Sequence, residues 1–188
     1  MEKLAIARPE LNPAQDATLA LSSPAFADGA RLPERFTADG EGVSPPLVWR
    51  DPPAGTAALV LLVEDADAPA PQPLVHAVVW GLAPQAGSLA EGAIAADGAG
   101  AETGDVGRHS FFGEGWLPPD PPTGHGSHRY CFQLFALGEG ARAPGANPGR
   151  SAAVDAMAGH VLAAGLLTGT YSRGEEAPVG PVGAAAPA

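Results

Sequence analysis

Residues 56–64 read TAALVLLVE, and this nearly continuous apolar run decides the fold. Such a run is typical of a β-strand that is buried on both faces. Two further runs, VHAVVWGL at residues 75–82 and HRYCFQLFAL at residues 128–137, are rich in the β-branched and aromatic residues that strands prefer. In the third run, a period of two places four side chains on one face: His128, Tyr130, Phe132 and Leu134. The chain is therefore predicted to be mainly β.

One helix is predicted late in the chain, over residues 151–167 (SAAVDAMAGHVLAAGLL), with Ser151 as its N-cap. Its apolar stripe would consist of Val154, Met157, Val161 and Leu162. Residues 86–115 are rich in Gly and Ala and are predicted to form one long connection. The expected organisation is an N-terminal tail over residues 1–17, a single domain over residues 18–173 and a disordered C-terminal tail over residues 174–188.

The chain contains 25 Gly and 21 Pro among its 188 residues, which brings it close to the composition of low-complexity chains. The positions of the prolines argue against disorder. Eleven of them gather in three clusters, at residues 45–53, 69–73 and 118–122, and each cluster lies at the end of a predicted strand. Prolines in such places terminate strands and stiffen loops, so a folded domain is predicted.

The charge and the cysteine content exclude several classes of function. The net charge of −11 opposes binding to nucleic acid and to anionic membrane surfaces, because both depend on clustered Lys and Arg. The single cysteine, Cys131, excludes an internal disulfide and favours a reducing compartment. Because neither a membrane-length apolar run nor a secretory signal is visible, we expect a cytoplasmic protein without stable membrane insertion.

Polar residues suited to ligand binding lie at the edges of the predicted strands, where loops converge. Asp65 and Asp67 follow the first run, His76 lies at the start of the second, and His128 and Tyr130 open the third. Each of these residues also has a structural interpretation, since aspartates cap turns and strand-edge histidines bond to carbonyl groups. Taken together, imidazole and phenol donors with a carboxylate to orient one ring indicate an anion receptor.

Other chemistries have weaker support in the sequence. Two Asp and two His are residue types that hold iron or zinc, but the local spacing of a metal site is missing. Cys131 lies in the middle of a predicted strand, and no serine is found in a G-x-S-x-G motif. No phosphate-binding loop of the P-loop type is present. Neither a metal nor a cofactor is predicted.

Four blocks of the sequence resemble the phosphatidylethanolamine-binding protein family, in particular its bacterial Raf-kinase-inhibitor-like (YbhB/YbcL-type) branch. Residues 22–49 contain SSPAF, LP, FTADG and VSPPLVW, which look like the N-terminal block of the family. VEDADAP at residues 63–69 resembles its D-P-D-A-P signature, and WLPPDPPTGHGSHRY at residues 116–130 is similar to the signature that ends in H-R-Y. AGHVLAAGLLTGTYSR at residues 158–173 looks like its C-terminal helix and closing strand. The blocks stand in the family's order.

The resemblance implies a β-sandwich of two antiparallel sheets with a C-terminal helix and short flanking helices. It also implies a small pocket that accepts phosphate-like and carboxylate-like anions. Carried over by motif position, the ligand-binding residues are Asp65, Asp67, Ala68, Pro69, His76, Trp116, Pro119, Asp120, Pro121, Pro122, His128 and Tyr130.

Several positions depart from the family pattern. Ala66 stands where the signature has proline, Trp116 replaces the usual tyrosine, and Pro118 removes a backbone donor. Asp120 introduces a carboxylate at a position commonly occupied by Cys or Gly. An inward-facing Asp120 would repel an anion unless it is protonated or paired.

The function predicted from these residues is non-catalytic binding of a small anionic or phosphorylated group that resembles a phospholipid head group. Binding would sequester the ligand or modulate a protein partner, with kinase-type regulation and a homodimer as further expectations. One alternative is a metal-assisted hydrolase that uses Asp65, Asp67, His76 and His128. Another is a protein-interaction module whose acidic surface engages a basic partner, the pocket being vestigial.

Overall fold

The computed structural model describes residues 3–13, 17–95 and 104–174. The strands are β1 (Ala20–Ser22), β2 (Leu47–Arg50), β3 (Ala58–Asp65), β4 (Leu74–Leu82), β5 (Gly87–Leu89), β6 (Asp105–Val106), β7 (His128–Leu137) and β8 (Val161–Tyr171). The α-helix is α1 (Arg150–Met157), and short 3-10 helices span Ala5–Ala7, Pro9–Leu11 and Glu34–Phe36. Among these residues, no helix has the length and apolar character needed to cross a membrane.

The strands form two antiparallel sheets, as predicted. A three-stranded sheet has the order β1-β2-β5, and a five-stranded sheet has the order β6-β4-β3-β7-β8. The run that opens the sequence forms β3, which lies in the middle of the larger sheet and is buried on both faces. Side chains from both sheets, including Trp49, Leu61 and Phe132, pack into one core between them.

The opposite face of the larger sheet carries a second core. Val60, Leu62 and Phe135 contact Val154 and Met157 of α1 there. The molecule is therefore layered: the small sheet, the large sheet, and a third layer that contains α1.

The predicted helix over residues 151–167 is wrong in its second half. The helix ends at Met157, and Val161–Tyr171 is a strand whose residues alternate between buried and half-buried positions. Gly159 has a φ of +76° and reverses the chain between the two elements. Gly165 lies within this strand. A larger residue would not fit there, because its Cβ would clash with the carbonyl oxygen of Leu19. At the other end, Gly149 occupies the N-cap position, and Ser151 lies inside the helix.

Residues 1–17 are predicted to form a tail, but their described part, residues 3–13 and 17, packs against the domain. Leu4, Ala5 and Leu11 are fully buried, and the backbone N–H of Ala5 donates to Glu64 Oε2 at 2.8 Å. Apolar side chains in two adjacent 3-10 turns give this segment a face to pack against the sheet. The connection over residues 86–115 contains two short strands, β5 and β6, and its residues 96–103 lie outside the described residues. So does the predicted C-terminal tail from residue 175 onward.

Candidate functional site

A buried Asp–His pair forms where β3 ends and β7 begins. The antiparallel register sets Asp65 opposite Tyr130, which brings the side chain of His128 to the same corner of the sheet. His128 Nδ1 lies 2.7 Å from Asp65 Oδ2, and both side chains are only 4% exposed. Asp65 Oδ1 accepts hydrogen bonds from the backbone N–H groups of Asp67 and Ala68. Asp65 therefore caps the turn and also orients an imidazole, so the two interpretations from the sequence are compatible.

The imidazole of His76, in β4, is held by the backbone of Leu117. His76 Nδ1 lies 2.7 Å from the carbonyl oxygen of Leu117, and the N–H of Leu117 donates to the carbonyl of His76 at 2.8 Å. Burial lowers the pKa of His76 to about 4, although the Leu117 carbonyl and the Asp65 charge act in the opposite direction. The ring is therefore neutral at neutral pH, with its proton on Nδ1.

Tyr130 packs against His76 on the inner face of the larger sheet. Its ring meets that of His76 edge-on, with the centroids 5.0 Å apart. Burial and the negative charge of Asp65 raise the pKa of the Tyr130 hydroxyl well above its usual range. The phenol keeps its proton at physiological pH and can donate a hydrogen bond.

These groups border a cavity of about 390 Å³. Its mouth is formed by the β3–β4 loop and the proline segment before β7. The lining residues are Ala38, Asp65, Ala68, Pro69, Ala70, Leu74, His76, Phe111, Leu117, Pro118, Asp120, Pro121, Pro122, His128 and Tyr130. The described residues that line it include two aspartates but no Lys or Arg. Nine of the twelve residues predicted from the sequence are thus brought together here.

The other three predicted residues lie outside the cavity lining. Asp67 turns to Arg129 in a bidentate ion pair, with contacts of 2.6 and 2.8 Å. Arg129 also lowers the pKa of the Asp67 carboxyl by hydrogen bonding. Trp116 stacks on Phe132 and donates its indole N–H to the carbonyl of Phe36.

Pro119 is buried, and its carbonyl accepts the N–H of Ala38 at 2.9 Å. It therefore anchors the proline segment instead of contacting the cavity. Pro118, its neighbour, does line the cavity, although it is not among the twelve residues predicted from the sequence.

The charge of Asp120 is paired outside the cavity. The Asp120 side chain is 62% exposed and contacts Arg173, whose guanidinium also binds Asp39 at 2.6 Å. Asp39 in turn accepts the hydroxyl of Tyr171 at 2.8 Å. The carboxylate that departs from the family pattern is therefore neutralised by a cation from the end of β8.

Several lining residues were not predicted from the sequence, and Phe111 is the largest of them. Phe111 is 68% exposed, and its hairpin is held by the N–H of Val75, which donates to Ser110 Oγ at 2.8 Å. The available signal in the sequence was a pair of aromatic residues in a polar segment bounded by glycines, GRHSFFG at residues 107–113. Ala38, Ala70, Leu74 and Leu117 are apolar and carry no chemical signature.

The described residues contain no group of three or more His, Cys, Asp or Glu side chains placed to hold a metal ion. The cluster at the cavity has one carboxylate, Asp65, committed to His128 and two backbone donors. Its chemistry is that of hydrogen bonding: a proton-bearing phenol, a neutral imidazole and an imidazole held by a carboxylate.

The fold and this corner of the sheet define a mainly β protein with a small pocket at the ends of β3, β4 and β7. A family model described as phosphatidylethanolamine-binding protein matches residues 22–172. The chain belongs to that family. The crystal structure of Escherichia coli YbcL, described as a member of the mammalian PEBP family, superimposes with a TM-score of 0.77 at 26% identity, covering 84% of this chain and all of that one.

Two proteins of Mycobacterium tuberculosis are similar in sequence. A UPF0098 protein is 43% identical over 119 residues, which is 63% of this chain and 54% of that protein. LppC, a candidate lipoprotein by its name, is 40% identical over 153 residues, which is 81% of this chain and 72% of that protein. The chain thus spans about half the length of the first of these relatives.

Proposed function

We propose that this protein binds a small anionic or phosphorylated group in the cavity at the ends of β3, β4 and β7, and that it does so without catalysing a reaction. The observation that carries the proposal is the buried pair of His128 and Asp65 at 2.7 Å, on the wall of a cavity of about 390 Å³. A pocket of this size falls in the range of small-molecule sites.

The Asp65–His128 pair would orient a ring nitrogen toward the ligand. Because Asp65 binds Nδ1 of His128, the ring is oriented and its Nε2 is left for the ligand. In this proposal Nε2 of His128 forms a hydrogen bond with the bound anion, and the Asp65 carboxylate keeps the ring oriented for it. The Tyr130 hydroxyl adds a second donor on the same wall.

A titration followed by NMR tests the proposal. Phosphate, phosphoethanolamine and acetate are added to millimolar concentration, and the imidazole signals of His76 and His128 are recorded. Asp65→Asn replaces the carboxylate that holds the His128 ring with a neutral amide, and we expect it to weaken phosphate binding about tenfold or more. Asp67→Asn is the matched control, since Asp67 binds Arg129 outside the cavity lining. Unmoved signals of both histidines would remove the anion-binding function.

The biological role is proposed at a coarser level. Ligand binding would sequester a phosphorylated compound or modulate a protein partner, including kinase-type regulation, and a homodimer is a further proposal. The single cysteine supports a cytoplasmic location, which cell fractionation tests. A partner whose capture survives His128→Ala would favour the interaction module instead. No observation favours the metal-assisted hydrolase.

A further inference from the structure

The imidazole of His76 is held with its acceptor nitrogen buried and unused. The carbonyl of Leu117, 2.7 Å from Nδ1, can only accept, so Nδ1 carries the proton and Nε2 carries the lone pair. In the part of the chain that the structure describes, Nε2 is a buried side-chain atom without a hydrogen-bond partner. Buried polar atoms of folded proteins nearly always have a partner, so this exception requires an explanation.

The cavity is one side from which that partner can come. Leu117 occupies the Nδ1 side, the Tyr130 ring lies edge-on with its centroid at 5.0 Å, and the Trp116 ring lies at 6.1 Å. None of these three neighbours donates to Nε2, and His76 also lines the cavity. A group that satisfies Nε2 from the cavity must be a hydrogen-bond donor.

The other groups that line the cavity restrict the chemical class of the ligand that carries this donor. Asp65 and Asp120 line the cavity but are paired with His128 and Arg173, and the described lining residues include neither Lys nor Arg. The Tyr130 hydroxyl offers a donor to an anion, whereas His76 offers a lone pair that repels an anion's oxygen. A ligand that suits both presents oxygens on one side and a proton on the other.

We propose that the cavity selects anions that keep an acidic proton at neutral pH, and that inorganic phosphate donates its P–OH to Nε2 of His76. The inference rests on the proposed function and names the ligand chemistry of the same site. Phosphate retains at least one P–OH at neutral pH. Sulfate and phosphodiesters retain none, so with them Nε2 stays unpaired against an oxygen.

The first test compares anions on the wild-type protein at pH 7 by isothermal titration calorimetry. We expect phosphate to bind about ten- to a hundredfold more tightly than sulfate or dimethyl phosphate, because an unpaired buried acceptor carries a penalty of that order. If none of the anions binds, the proposed function itself fails. If phosphate binds no better than sulfate, the anion pocket stands and the donor inference is overturned.

The second test removes the acceptor. His76→Asn places an amide N–H where Nδ1 donates to Leu117 and has no lone pair at the position of Nε2. We expect the preference for phosphate over sulfate to fall below about threefold. His160→Asn is the matched control, because His160 does not line the cavity. A preference that survives His76→Asn in a folded variant contradicts the inference.

A spectroscopic measurement keeps the test independent of any variant. In the wild type, the ¹⁵N resonance of His76 Nε2 should move upfield when phosphate is added, because the lone pair then accepts a hydrogen bond. It should not do so with sulfate.

A third comparison separates two possible donors to Nε2, the P–OH group and an ammonium group. If phosphoethanolamine is favoured over phosphocholine at pH 8 while phosphate shows no preference over sulfate, the donor is an ammonium and the assignment to P–OH is wrong.

Discussion

Glu64 and Asp65 are consecutive residues at the end of β3, yet their carboxylates belong to two buried clusters on opposite faces of the larger sheet. Glu64 pairs in register with Cys131 and lies on the face that α1 covers, whereas Asp65 pairs with Tyr130 on the face toward the smaller sheet. We name the first group, Glu64, Gln133 and Arg150, the closed cluster. The second group, Asp65, His76 and His128, is the open cluster.

The closed cluster is saturated with protein contacts. Glu64 Oε2 accepts from the N–H of Ala5 at 2.8 Å and from Gln133 Nε2 at 2.7 Å, and Oε1 is bound by Arg150. Gln133 Oε1 accepts the N–H of Ile6 at 2.7 Å. In the open cluster, by contrast, Nε2 of His76 has no partner among the described residues. The difference teaches that a saturated buried network stabilises a fold, whereas an unsaturated one beside a cavity leaves a polar atom free to bind a group that enters it.

The largest effect is expected from breaking the closed cluster. Arg150→Met removes the cation and leaves the fully buried Glu64 carboxylate uncompensated, and it also removes the contact of Arg150 with the carbonyl of Lys3. The free energy of unfolding should fall by about 3–5 kcal/mol, as measured by urea denaturation.

Arg142→Met is the control for this change, since Arg142 is exposed, and it should cost less than about 0.5 kcal/mol. A loss below about 1 kcal/mol for Arg150→Met would mean that Glu64 does not depend on this cation, and the comparison between the clusters would then fail.

The open cluster should make the free energy of unfolding fall at acidic pH. The pKa of His76 is lowered to about 4 in the folded state from an ordinary value of 6.5. Between these values the unfolded chain binds a proton that the folded chain does not, so stability is complete above about pH 6.5 and falls as the pH drops toward 4. The slope should approach ~1.4 kcal/mol per pH unit, a loss of about 3 kcal/mol in all.

His76→Asn should flatten this part of the stability curve, measured by denaturation from pH 7 to pH 4, while His160→Asn should leave its slope unchanged. Three titratable groups act on His76 from the neighbouring elements, namely Asp65, His109 and His128. An equal slope in His76→Asn and wild type would assign the acid sensitivity to these neighbours instead.

Much of the sheet and of the open cluster could be predicted from the sequence. β3, β4 and β7 are short runs whose composition and flanking prolines are sufficient to identify them. The polar residues at their ends are brought together because antiparallel neighbours align their ends at one edge. Asp65, His76 and His128 therefore lie together, as the resemblance implied.

The closed cluster was not predicted, and the reason is physical. Its members are separated by up to 86 residues in sequence, and Arg150 was placed just outside a helix that instead begins at that residue. Residues 161–167 place Val161 and Leu162 at spacings from Val154 and Met157 that suit a helix as well as a strand. Only the pairing of β8 with β7 decides between them. The N-terminal segment has too few residues to show a period at all.

The smallest effect concerns the partner of Asp120 at the rim of the open cluster. Arg173→Gln leaves this carboxylate unpaired beside the cavity, and phosphate should then bind about three- to tenfold more weakly. Because the Asp120 side chain is 62% exposed, high ionic strength should largely abolish the difference. Combining Arg173→Gln with Asp120→Asn removes the charge that lines the cavity, although Asp39 still loses its cation, and should restore affinity to near the wild-type value. Arg31→Gln is the control, since Arg31 lies over the Tyr171 ring at 4.2 Å. If the double variant binds as weakly as Arg173→Gln alone, Arg173 acts by shaping the proline segment and not by neutralising Asp120.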